Sequence, residues 1–109
     1  MTDAFQERER GFERKFEFDQ ELAFRVQARR DNLLGLWVAA KLGLPAGEAR
    51  AYAKEVTASN FDHAGDGDMI AKIIGDMKAK SLPISELEIS RKLAEFHLEA
   101  ERQIKGERK

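Results

Sequence analysis

The chain has 109 residues, a formal net charge of −1 and a charged share of 36%. That length bounds it at one domain, and so even a balance of signs argues against nucleic acid or an anionic membrane as its partner. With 42% hydrophobic residues and no cysteine, it can bury a modest core but has no disulfide framework, thiol nucleophile or Cys-based zinc site.

The longest apolar run, Leu33 to Ala40, is too short to span a bilayer. The opening residues Asp3, Glu7, Arg8 and Glu9 do not form the basic-then-apolar pattern of a signal peptide. The expectation is a soluble, cytoplasmic protein.

The first 24 residues hold five of the seven phenylalanines, among seven acids and four bases. At about 100° per residue, Phe5, Phe12 and Phe16 fall within about 40° of one another on a helix. A terminus meant only to be solvated has little use for such a stripe, whereas a segment that docks into a partner does. The alternative is that these phenylalanines simply cover the bundle. The first helix begins near Asp3 or near Asp19 and runs to about Leu42, where Gly43 and Pro45 stop it. Its inner stripe is Leu22, Val26, Leu33, Trp37 and Ala40, about 80° around from the phenylalanine stripe. Phe18 and Phe24 read as core or rim, and Arg29 and Arg30 as a solvated face, with a grip on acidic partner surface as the alternative. Gly11 costs about 1 kcal/mol of helix stability relative to Ala, which predicts an arm that frays in the free protein.

The second helix spans about 46–59, with Ala49, Tyr52, Ala53 and Val56 inward. A polar loop follows from Asn60 to Gly67. The third helix spans about 68–80 on a face of Met69, Ile70, Ile73, Ile74 and Met77, with Asp66 or Asp68 placed to cap it. Leu82 and Pro83 lead into the fourth. There Ser85 and Glu88 fit a capping box, and Ile89, Leu93, Phe96, Ala100 and Ile104 form the main stripe. Leu87, Ala94 and Leu98 form a second, weaker one, either core or a contact surface. Period-two alternation of β-branched residues is absent. Short connections between four helices predict an all-α fold, a four-helix bundle with a protruding, mobile N-terminal helical segment. The predicted division is residues 1–18 as the arm and 19–109 as the bundle.

Other chemistries fit poorly. Against a calcium loop, Asp62, Asp66 and Gly67 match positions one, five and six, but Ala64 fails position three and Ile73 stands where the bidentate glutamate belongs. A transition-metal site on His63 and Asp66 is equally weak. Gly65 and Gly67 offer backbone to a phosphate at a helix start, but Asp62, Asp66 and Asp68 repel it. A DNA-binding reading fails on the third helix, where Asp68 and Asp76 offset Lys72, Lys78 and Lys80. No nucleophile–base pair stands out. No catalytic residue, metal or cofactor is expected.

An ordered set of segments resembles a known family. It comprises Phe5-x-x-Arg8-Glu9, Lys15-Phe16, Glu21-Leu22-x-Phe24, and then Ala28-Arg29-Arg30-x-Asn32-Leu33-Leu34-Gly35-x-Trp37-x-Ala39. Leu42-Gly43, Ala51-Tyr52-Ala53-x-x-Val56 and Asp62-x-x-Gly65-Asp66-x-Asp68 follow. Over about residues 5–77 the chain is similar to the zeta subunit, the ATPase inhibitor subunit, of alphaproteobacterial F1Fo-ATP synthases. The resemblance implies a four-helix bundle whose N-terminal segment blocks ATP hydrolysis by F1, in contact with the alpha, beta and gamma subunits. It implies a location at the cytoplasmic face of the inner membrane, held there through F1. The inhibitory segment carried over is about residues 1–16, with Phe5, Arg8, Glu9, Arg10, Phe12, Arg14, Lys15 and Phe16 as the partner-binding residues. The alternative function is a nucleotide-sensing or other helical interaction module without strong inhibition.

Three buried phenylalanines give roughly 5–9 kcal/mol before costs, and micromolar binding needs about 8. The stripe alone is therefore marginal once ordering costs are subtracted. Arg8, Arg10, Arg14 and Lys15 would add charge-assisted bonds to acidic subunit surfaces. The only histidines, His63 and His97, lie outside the arm, so inhibition should not depend on histidine protonation within it.

Overall fold

The computed structural model describes the backbone of residues 2–61 and 65–107, and the side chains of residues 20–61 and 65–107. Four helices run in order: α1 (Thr2–Lys41), α2 (Ala46–Ser59), α3 (Gly67–Ala79) and α4 (Glu86–Glu107). No strand occurs among the described residues.

Pairings between helices fix the direction of each. Gly35 of α1 faces Ala53 and Val56 of α2, while Phe24 meets Phe61 just beyond the end of α2. Tyr52 and Glu55 of α2 reach Asp76 and Lys72 of α3. Arg25 and Lys41 of α1 face Glu107 and Glu88 of α4. Each of these helix pairs is antiparallel, giving an up-down-up-down bundle.

The turns are built by backbone bonds. After α1, Gly43 takes a positive φ of 74°. The Leu44 N–H then bonds to the Ala39 carbonyl at 3.0 Å, and the Gly43 N–H to the Ala40 carbonyl at 3.1 Å. That is a Schellman ending, which satisfies carbonyls the helix leaves open. The same motif closes α3 with Leu82 bonded to Met77 at 2.9 Å, but Ser81 occupies the left-handed position at φ 59°. At the start of α4, the Glu88 N–H donates to the Ser85 hydroxyl at 3.0 Å, the forward half of the capping box. The Glu88 carboxylate faces Lys41 at 3.8 Å.

The core forms in two parts. The larger joins Leu34, Val38 and Ala39 of α1 to Tyr52 and Val56 of α2, Met69, Ile73 and Met77 of α3, and Ile89 and Leu93 of α4. The smaller contains, among the described residues, Val26, Ala100 and Ile104, with Leu22 and Leu33 packed on it. Helix lengths explain the split: α2 and α3 have 14 and 13 residues and α4 has 22. At 1.5 Å per residue, α4 outlasts its neighbours by about 12 Å. Over that stretch only α4 accompanies α1.

Two sequence expectations change. Ala40 is exposed and Ala39 is buried. Ala39 stands one turn beyond Gly35, on the face that meets α2, so the buried face of α1 is widened by having two neighbours. Trp37 is only half-buried; the Lys41 and Lys92 ammonium groups lie 4.7 and 5.4 Å from its ring centroid, a cation–π arrangement. The second stripe on α4 is not core, since Leu87 and Leu98 are 60% and 69% exposed.

Between α2 and α3, the buried Tyr52 hydroxyl donates to Asp76 at 2.8 Å. Burial and then the Asp76 carboxylate push its pKa well above the ordinary tyrosine range. Lys72 bonds to Asp76 at 3.0 Å and lies over the Tyr52 ring at 5.3 Å.

Gly35 fixes how closely α1 and α2 approach. A Cβ there would sit 2.6 Å from the Ala53 Cα, closer than any real contact allows. Gly35→Ala should therefore lower the free energy of unfolding by about 1–3 kcal/mol through overpacking. Ser81→Gly should raise it by up to about 1 kcal/mol by relieving left-handed strain. Urea titration followed by helical circular dichroism reads both as midpoint shifts at unchanged slope.

Candidate functional site

The residues predicted to grip a partner are Phe5, Arg8, Glu9, Arg10, Phe12, Arg14, Lys15 and Phe16. All fall in the N-terminal half of α1, and their side chains lie outside the described residues, as does that of Phe18. What the structure does show is how the base of that segment is held.

On the α4 side, Arg29 donates to Gln103 at 2.8 Å and pairs with Glu107 at 2.7 Å. Arg25 stands 3.9 Å from Glu107. These contacts and Leu22 form the last described anchorage of α1 on α4. On the side facing the α2–α3 connection, a polar cluster is folded into the bundle. Asp31 and Asn60 are 2% and 1% exposed. The Arg30 guanidinium donates to Asp31 at 2.9 Å and to Asp66 at 2.8 Å. The Asn60 amide donates to Asp31 at 3.0 Å and to Asp66 at 2.9 Å. One cation and one amide thus tie the Asp31 carboxylate of α1 to the Asp66 carboxylate at the end of the α2–α3 connection, which is how a buried charge is tolerated.

This cluster corrects two expectations. Arg30 is not on a solvated face, because its guanidinium is spent on Asp31 and Asp66 inside the molecule, whereas Arg29 stays 32% exposed in its pair with Glu107. Asp66 occupies the N-cap position of α3 but makes no side-chain capping bond; its carboxylate is turned to Arg30 and Asn60 instead. The calcium and transition-metal readings relied on that same carboxylate, while Asp62, His63 and Ala64 lie outside the described residues.

Asp31 and Asn60 were missed as a pair. In the sequence Asp31 stands in a polar run with Arg29, Arg30 and Asn32, and nothing there marks a partner 29 positions away. Phe61 was missed as well. It is 62% exposed and meets Phe24, itself 53% exposed, edge to face at 5.4 Å. An aromatic directly after a helix end was the available signal.

A bundle that lets one helix run on beyond its neighbours, and braces that helix at its base, has the form of a regulatory interaction protein. The comparisons agree and go further. The family described as ATPase inhibitor subunit zeta matches residues 1–103, and the chain belongs to that family. It is thus a regulatory subunit that inhibits an ATPase and therefore interacts with one, and not itself an enzyme. A solution NMR structure of a protein 39% identical to this chain covers 77% of this chain and 95% of its own, with a TM-score of 0.68. No curated protein matches. Among the described residues, no helix is long and apolar enough to cross a membrane.

The buried cluster predicts a pH signature. Burial pushes the Asp31 carboxyl above its ordinary 3.8; Asn60 and Arg30 pull it down, and Asp66 adds to the rise. A carboxyl raised in the folded state contributes stability that is full below 3.8 and lost as pH climbs through the raised value. Asp31→Asn removes that dependence. The stability of wild type relative to Asp31→Asn should therefore fall as pH rises through that window, measured by urea unfolding at successive pH values. A flat difference would show that Asp31 is not raised.

Proposed function

We propose that this chain inhibits ATP hydrolysis by F1, with residues 1–18 as the inhibitory arm and residues 19–109 as the bundle that carries it. In this reading the arm inserts as a helix at the interface of the alpha, beta and gamma subunits and blocks rotation. The observation that carries the proposal is the geometry of α1. It is one helix from Thr2 to Lys41, yet its lowest described packing on α4 is at Leu22. About 30 Å of helix precedes that point, and it bears the stripe of Phe5, Phe12 and Phe16.

The mechanism follows from state selection. F1 cycles its catalytic sites through different shapes as gamma turns. A helix that fits one of those shapes better than the others holds the cycle there, by its differential affinity for that state. The phenylalanines supply apolar burial, and Arg8, Arg10, Arg14 and Lys15 supply charge-assisted bonds. The location implied is the cytoplasmic face of the inner membrane, by attachment to F1.

The test is hydrolysis by isolated F1, titrated with the intact chain and with a variant carrying Phe5→Ala, Phe12→Ala and Phe16→Ala. The intact chain should inhibit saturably. The variant should need at least about 100-fold more protein for half inhibition, a loss of about 2.7 kcal/mol. Equal inhibition by both would sink the assignment of the site to the arm.

A further inference from the structure

Along the last turns of α2, above the stretch where α4 outlasts it, the surface has a step. An open groove of about 670 Å³ lies there, floored by Ala28 of α1 and Thr57 and Ala58 of α2, with Ile104 of α4 at its back. Phe24 and Phe61 line it and remain more than half exposed while packed against each other. Paired phenylalanines open to solvent mark an interaction surface more often than a bare one.

The rim is basic. Arg25, Arg29 and Lys54 line the groove, and among the described residues no acid does. Glu107 serves Arg29 at 2.7 Å and stands 3.9 Å from Arg25. Lys54 has no ion-pair partner among the described residues. Positive charge is therefore left over on both walls, from α1 and from α2, around an apolar floor.

We propose that this groove docks an acidic segment of the ATPase, one that presents a large apolar side chain flanked by carboxylates. Charge complementarity selects the acidic partner, and position selects the ATPase. Phe24 follows Phe18 by about 9 Å along α1, so a subunit that grips the arm lies within reach of the groove. The proposal rests on the reading of residues 1–18 as the inhibitory arm. A second copy of this chain, offering the Leu87 and Leu98 face of α4, is the competing occupant. That contact would join two different surfaces of the chain.

The experiment uses the full chain, with Lys54→Glu and Phe61→Ser made separately and their fold checked by circular dichroism. Both positions are exposed, so folding is retained. Binding to purified F1 is read by anisotropy of a label on Gly106→Cys, beside inhibition of hydrolysis. Each variant should bind about tenfold more weakly yet reach the same maximal inhibition. The Lys54→Glu effect should shrink at high salt. A photo-crosslinker at position 61 should capture a segment of F1 rich in Asp and Glu. Unchanged binding by both variants, or capture of a second copy or of a segment without acids, overturns the groove proposal. The two readings fail separately. Loss of binding by these variants, with inhibition indifferent to the arm phenylalanines, would keep the groove and discard the arm.

Discussion

Gly35 allows the backbone of α2 to lie against α1 with no side chain between them. That spacing is the constraint on which the lower half of the molecule depends. With the helices so close, Asn60 at the end of α2 reaches Asp31 one turn down α1, and Phe61 reaches Phe24 two turns further. Were the helices an ångström or two farther apart, the 3.0 Å bond from Asn60 would open. Asp31 would then be a buried acid with Arg30 as its main support, an arrangement buried charges tolerate poorly. The apolar core, the polar cluster and the aromatic pair are thus successive outcomes of one close approach, read from the top of the bundle to its base.

Much of this was legible in the residues, and what was not has a common cause. Pro45 and the spacing of Tyr52, Ala53 and Val56 marked α2 correctly at both ends. The Met69, Ile73 and Met77 face placed α3 within one residue, and Ser85 announced the start of α4. Local signals report local structure. Arg30 was misread because its second partner lies 36 positions away, and a charged residue at mid-helix reads as solvated until that partner is placed. Ala40 was preferred to Ala39 because a single apolar stripe was assumed, whereas α1 has a helix on either side. The phenylalanine stripe of the arm was plain in the spacing, but its side chains fall outside the described residues, so the pattern stands on the sequence.

The two proposed contacts would work as one attachment. An arm with marginal affinity gains from a second, equally modest site about 12 Å beyond Phe16 along the same helix, because the second engagement is then intramolecular. Rigidity matters to that gain. Arg29 and Arg30 hold α1 from two sides about two turns above its last described contact with α4, which fixes the groove relative to the base of the arm. A hinge there would dilute one site with respect to the other.

The brace on α1 also has a kinetic meaning. Arg29 and Gln103 are separated by 74 positions, whereas the α1–α2 hairpin turns over a four-residue connection. Contacts between distant parts of a chain carry a larger loop-closure cost and tend to form late. A chain with the hairpin folded but α4 still undocked would possess the arm's residues without a fixed direction for them. If residues 1–18 are the inhibitory arm, the chain would aim them only once α4 has docked, and folding itself would gate the inhibitor.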